Sequence, residues 1–548
     1  MLLGAGSLFI TSLRALWCRF DKPEGVELKP TDAPALFESL ERIRKKIKGP
    51  PIHHVWLNDE FNASISQLPR WGLLGGATNH LSIGLPLLLA VDKPRFLAVL
   101  AHEYGHLRGN HGRFAAWIYR TRLSWARMEH SMRNDQGVMA ALSQSFLRWY
   151  FPRFAAKTFA LARQDEYEAD KISAQLLGAD VMGAALLEIN LKGTWLGQEF
   201  WREHWRAAAQ SSQPLGPYAM MRKLSSLPLP EEFAHTALRQ SLRRLSDLDD
   251  THPVLRDRLE ALEAPAKLPA WSTRPALRML GKNGETWLAH FDKLWCREHA
   301  SEWKHHHAYL TRLKAQIDVM QKNFATHNAN QLVQLGELQS RLDPRTPVRA
   351  CFERALELTP QHGLALRGLI RCLDGKESAA RLSHLDTLFT HHADLRWWAC
   401  NTAVTQLEQT SADGQQDLRL LSSWRERLKV ARTTEDRAWE ELNDEDPLKA
   451  TTLHDLNEFE THELQSDLAR CQPVTRAWLA RKSLKEFPSR RAYVLFVELP
   501  QLDDDARYSL CRDLEQMLDL PGPVIVRWPE QSISPLERQI RTPIYTRS

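Results

Sequence analysis

From Asp92 onward, apolar residues recur at helical spacing almost as far as residue 475, and that pattern restricts the chain to a predominantly helical fold. Asp92 can cap the first of these helices, Pro94 suits its first turn, and Phe96, Val99 and Leu100 give it a buried face. Before Asp92 the order is mixed. A polar helix over 25–50 places Leu36, Leu40 and Ile43 on one side, ends in Arg44-Lys45-Lys46 and is stopped by Gly49-Pro50-Pro51. His54-Val55-Trp56-Leu57 and the segment after Gly72 read as short strands. The uncharged run from Trp71 to Val91 contains Gly72, Gly75, Gly76, Gly84 and Pro86. So many breakers predict a strand and turn leading into a buried helix, not a membrane span. In the tail, Tyr493 to Leu499 reads as a strand, Ala506 to Leu518 as a helix and Pro523 to Trp528 as a second strand. The fold class expected is α+β, predominantly helical.

A length of 548 residues suits two to four domains. With 43% hydrophobic and 25% charged residues, the chain is neither wholly disordered nor a multi-span transporter. Lys and Arg exceed Asp and Glu by 72 − 67 = 5, which gives no basis for a nucleic-acid partner. Seven widely spaced cysteines without a CxxC pair argue against a disulfide scaffold and for a reducing compartment. Leu2 to Leu13 carries no charge. As a helix it would span only about 18 Å, short of a hydrocarbon core of about 30 Å. It is read as an interfacial anchor or the stub of a membrane helix, a buried N-terminal helix being the alternative. The Pro-rich patch from Pro265 to Pro275 marks a boundary. Beyond it, Leu335, Gly336, Phe352, Ala355 and Pro360 fall at tetratricopeptide offsets, with Thr346-Pro347 capping and opening the second helix. A generic helical hairpin fits the same residues. The expected division is 1–24 apolar segment, 25–265 first domain, 266–475 helical region and 476–548 small α/β module.

The chemistry lies in Ala101-His102-Glu103-Tyr104-Gly105-His106. On a helix His102 and His106 are i and i+4 and face one side, so two imidazoles can grip one Zn²⁺. Glu103 lies beside them, within reach of a water activated by the metal. A third ligand is needed. His111 comes one residue too early for the metzincin pattern, where Gly112 stands instead. A carboxylate from a second helix is the other source. In Arg163-Gln164-Asp165-Glu166-Tyr167-Glu168-Ala169-Asp170, Glu166 and Asp170 are i and i+4 and share a face. One can bind zinc while the other accepts the free N–H of a ligating His. A closed structural zinc is disfavoured, because no Cys lies near these motifs.

Taken together these blocks resemble the gluzincin family that contains HtpX and the CAAX prenyl endopeptidases (peptidase family M forty-eight). The match rests on His102-Glu103-Tyr104-Gly105-His106, on Glu166-Tyr167-Glu168-Ala169-Asp170, and on Thr251-His252-Pro253 followed by Arg258-Leu259-Glu260-Ala261-Leu262. Asn62-Ala63 sits where that family places an Asn-Ala segment ahead of the metal helix. The resemblance covers roughly residues 30–265 and implies a gluzincin-type zinc endopeptidase domain with one zinc ion. His102, His106 and Glu166 would be the metal ligands and Glu103 the general base. Asp170 would orient a ligating His, and His252 would stabilise the oxyanion. The backbone at Asn62 and Ala63 would pair with an extended protein or peptide substrate.

The family's membrane helices are not matched. Between His106 and Glu166 stand basic amphipathic stretches, Trp117 to Arg127 and Phe146 to Phe159, suited to peripheral contact with anionic lipid or to packing on other helices. The expected role is protein quality control, membrane-associated with the catalytic domain in the cytoplasm, or soluble in the cytoplasm. The competing reading is a non-catalytic adaptor or holdase that binds protein partners through the C-terminal helical region.

Overall fold

The computed structural model describes residues 22–69, 77–108, 163–244, 252–374, 377–411, 418–500, 502–529 and 534–547. The segments 2–13, 117–127 and 146–159, and His111, lie outside the described residues. The chain divides into two compact units, between Ala308 and Tyr309.

The first unit opens on β1 (Val26–Leu28) and α1 (Pro34–Ile47), so the helix expected over 25–50 is preceded by a short strand. Three residues are too few for a period-two pattern to register in sequence. As expected, α1 buries Leu36, Leu40 and Ile43 and collects Arg44, Lys45 and Lys46 in its last turn. The strands β2 (His54–Asn58), β3 (Ala63–Pro69) and β4 (Ala77–Gly84) complete a sheet of order β1-β2-β4-β3. β2 runs parallel to β4, and β3 runs antiparallel to it with Ala63 opposite Ile83 and Ile65 opposite Leu81. Among the described strands that leaves β3 as an edge. The turn from β4 into the fully buried helix α2 (Leu85–Ala90) matches the reading of the Trp71–Val91 run.

Next comes α3 (Lys93–Arg108), capped by the Asp92 carboxylate, which accepts the Arg95 N–H at 3.1 Å. Helix α4 (163–177) and α5 (Ala179–Trp195) pack on it. The contact with α4 is close because of one glycine. A Cβ on Gly105 would stand 2.8 Å from Ala169 Cα, so only glycine lets the two helices meet there. Ser173 of α4 donates to the Ala98 carbonyl at 2.7 Å, and both residues are buried.

α5 is pinned to the start of α3 by a buried charge cluster. Glu188 accepts from Lys192 Nζ at 2.7 Å and from Ser272 N at 2.9 Å, and its other oxygen accepts from Ser272 Oγ at 2.6 Å and from Arg95. Lys192 also donates to the Ser225 carbonyl at 2.6 Å, and Arg95 to the Ala270 carbonyl at 2.5 Å. Burial pushes the Lys192 ammonium below its ordinary pKa, opposed by the charge of Glu188.

In the second unit the helices Ala329–Leu342 and Arg349–Leu358 share an apolar cluster containing Leu332, Val333, Phe352 and Ala355. The second begins at Arg349 rather than at Pro347, and no side chain caps it. A five-stranded sheet follows, ordered β5 (Thr451–Leu453), β6 (Arg476–Lys482), β7 (Tyr493–Glu498), β8 (Val524–Arg527), with β9 (Tyr545–Thr546) also on β6. The strands read at 493–499 and 523–528 are β7 and β8, with Asp504–Met517 as the helix between them. β6 escapes a pattern reading because Arg476, Arg481 and Lys482 flank an apolar centre of only four residues, although Lys482 is buried.

Candidate metal centre

α3 carries His102 and His106 one turn apart, and α4 carries Glu166 and Asp170 one turn apart, across the contact that Gly105 and Ala169 permit. The i,i+4 spacing aims each pair into the same gap. His102 Nε2 lies 3.2 Å from His106 Nε2 and 3.6 Å from a Glu166 oxygen, and His106 Nε2 lies 3.4 Å from the other oxygen. Among the described residues these three make the one group able to hold a metal ion. Glu168, between the two inward carboxylates, is exposed.

The donor set fits zinc. Ligand atoms around a tetrahedral ion with bonds of 2.0–2.1 Å stand about 3.3–3.5 Å apart, close to the separations seen. The tautomer of His102 agrees. Its Nδ1 lies 2.8 Å from Asp170 Oδ1, a contact that places a hydrogen on Nδ1, so that the neutral ring presents its lone pair at Nε2. His102 Nε2 and the Glu166 carboxylate can therefore only accept. A hydrogen on His106 Nε2 could satisfy one of them at most, whereas a cation serves all three.

Electrostatics keep the group in its ligating state. Burial, reinforced by the neighbouring His102 ring, holds the His106 imidazolium down to about 4, so that ring is neutral at physiological pH. Burial alone would raise Glu166. The hydrogen bond from His252 Nδ1 at 2.7 Å and the neighbouring imidazoles outweigh it and bring the carboxyl to about 2. Asp170 behaves alike: burial opposes its charge, but hydrogen bonds from Arg258 and His102 bring it to about 2. His252 is raised, first by its bond to Glu166. Glu103 is raised chiefly by burial.

Residues 75–266 match the family described as peptidase family M48. These residues are an M48 domain. The site is accordingly that of an M48 metallopeptidase, a zinc enzyme class acting on peptide bonds. No curated protein matches the chain.

Within the M48 domain the third sequence block forms the helix α6 (Leu255–Ala261), with His252 just ahead of it. The remaining candidates lie at the edge of the sheet. Asn62 is exposed, and its side chain accepts the Ala63 N–H at 2.9 Å. Its carbonyl accepts from Gly84 N at 2.8 Å, where a Cβ on residue 84 would collide with the Glu60 carbonyl at 1.6 Å. Ala63 is buried at the start of β3.

Two contributors escape a sequence reading. Ile65 N–H points away from β4 and donates to Glu103 Oε2 at 3.2 Å. A backbone donor carries no residue-type signal. Arg258 makes two bonds to Asp170, from Nη2 at 2.6 Å and from Nε at 2.9 Å. Its one trace in the sequence is its place in the third block, six residues after His252. Among the described residues no helix is long and apolar enough to cross a membrane.

Proposed function

We propose that the chain is a zinc endopeptidase that binds one ion through His102, His106 and Glu166 and cuts extended protein segments laid along β3. The observation that supports this best is the convergence of three acceptor groups beside Glu103, next to an unpaired strand edge. Zinc bound by these residues would lower the pKa of a water to about 7 and polarise the scissile carbonyl.

Glu103 would take the proton of the attacking water and pass it to the leaving nitrogen. Ile65 holds the Glu103 carboxylate in place through its N–H. The bond to Glu166 raises the His252 pKa and so favours its imidazolium form. With Nδ1–H on Glu166, its Nε2–H is the donor for the developing oxyanion. Asp170 holds the His102 tautomer.

The alternation of β3 turns the backbone of Ala63, Ile65 and Gln67 outward, because Ile65 faces Glu103 rather than β4. An extended substrate adds to that edge as a strand. Affinity then comes from main-chain hydrogen bonds and tolerates many sequences, as turnover of unfolded or misassembled proteins requires. A membrane-facing setting rests on the Arg- and Trp-rich sequence from Trp117 to Arg127.

The test is casein cleavage by the zinc-loaded chain beside Glu103→Gln. The variant should bind zinc like the wild type and cleave at least about 10²–10⁴-fold more slowly. Undiminished cleavage by Glu103→Gln would exclude this mechanism.

A further inference from the structure

α6 grips the ligand-bearing helix α4 at two adjacent residues. Asp257 pairs with Arg163 at 2.5 Å, one turn before Glu166. Arg258 pairs with Asp170, one turn after it. The two contacts differ in what lies behind them. Asp257 and Arg163 are partly exposed, and Arg163 also donates to the Tyr167 hydroxyl at 2.7 Å. Asp170 is fully buried, and behind it stands His102.

The bonding around Asp170 is closely allotted. Arg258 Nε binds Oδ2 at 2.9 Å and Nη2 binds Oδ1 at 2.6 Å, a planar fork on a planar carboxylate. Oδ1 is also the atom that His102 Nδ1 approaches at 2.8 Å. The guanidinium therefore fixes the carboxylate plane and leaves Oδ1 a lone pair for His102. Arg258 Nη2 and His102 Nδ1 stand 3.4 Å apart, both aimed at that oxygen. Without the fork, a buried carboxylate held only by one imidazole N–H could rotate, and the His102 ring would rotate with it. A lysine supplies the charge without the fork.

From this geometry we infer that Arg258 is a positioning residue of the zinc site: by clamping Asp170 it sets the orientation and tautomer of His102, and it thereby tunes metal affinity without touching the metal. The inference rests on His102, His106 and Glu166 being the zinc ligands. The neighbouring Asp257–Arg163 pair serves as the control, since it ties the same two helices together at a partly exposed position.

The test uses the full chain and zinc alone, with affinity read by competition against a chromophoric chelator and folding of the zinc-free protein read by thermal unfolding. Arg258→Gln should raise the zinc Kd about 10–100-fold. Arg258→Lys should fall between Gln and wild type, and it remains informative where the Gln variant does not fold. Asp170→Asn should cost as much as Arg258→Gln. The double variant should cost no more than Asp170→Asn alone, because Arg258 acts through that carboxylate. Asp257→Asn should leave the zinc Kd within about threefold of wild type. Wild-type affinity in both Arg258 variants, additive losses in the double variant, or an equal loss in Asp257→Asn would each overturn the inference. A wild-type chain that took up no zinc would instead overturn the metal-site reading beneath it.

Discussion

The first unit buries two clusters of charged side chains, one at each end of α3, and they are built on opposite plans. Around Glu188 every group has found a protein partner. Its two oxygens receive four hydrogen bonds, and the spare hydrogens of Lys192 and Arg95 go to backbone carbonyls. Around His102 the acceptors face one another across 3.2–3.6 Å, while their donors are supplied from outside by His252 and, through Asp170, by Arg258. The first cluster is closed and has nothing left to offer. The second fits a cation among its acceptors, and the bonds around it come from His252, Asp170 and Arg258. Burial of charge is therefore not itself the mark of a functional centre. The direction in which lone pairs point is.

The difference can be broken from either side. The largest effect on stability is expected at the closed cluster. Glu188→Gln leaves Arg95 and Lys192 as two buried cations without their anion and should cost about 3–5 kcal/mol in denaturant unfolding. Zinc affinity of the folded fraction should be unchanged. A weakened zinc Kd in that variant would show that the two clusters are coupled through α3.

Zinc removal acts on the other cluster. At a free zinc concentration about a hundredfold above Kd, binding should stabilise the protein by about 2.7 kcal/mol, and chelation should remove that increment. The increment should be the same in Glu188→Gln as in wild type. If chelation left unfolding unchanged, the acceptor cluster would not be a metal site.

A smaller loss, about 1–3 kcal/mol, is expected for Gly105→Ala. The added methyl meets the backbone of Ala169 and pushes α3 from α4. The ligands come from both helices, so zinc affinity should fall together with stability, which Glu188→Gln should not do. Parallel titrations of the two variants make the comparison.

Much of the architecture was legible because it depends on local pattern. The helical face of α1, the strand-to-helix turn before Asp92, the Asp92 cap and the strand–helix–strand tail all follow from spacing and breakers within a few residues. β1 and β6 were not legible. One is too short to show a period, and the other carries charges on a strand whose neighbours bury it. The cap expected at Thr346 failed for a related reason: residue type permits a cap, but the chain's path decides where the helix starts.

At the site, the sequence by itself determined which chemistry was available. Fixed i,i+4 spacing on two helices puts His102 with His106 and Glu166 with Asp170, and no tertiary information is needed to know that each pair shares a face. Only the tertiary structure decided that the two faces meet, because this depends on Gly105 lying against Ala169, more than sixty residues away in the chain. It also decided which carboxylate turns to the imidazole Nε2 atoms and which to His102 Nδ1 and Arg258, and that the Ile65 N–H reaches Glu103. Those are choices of orientation between groups of identical type. Residue identity is blind to them, and packing across helices resolves them.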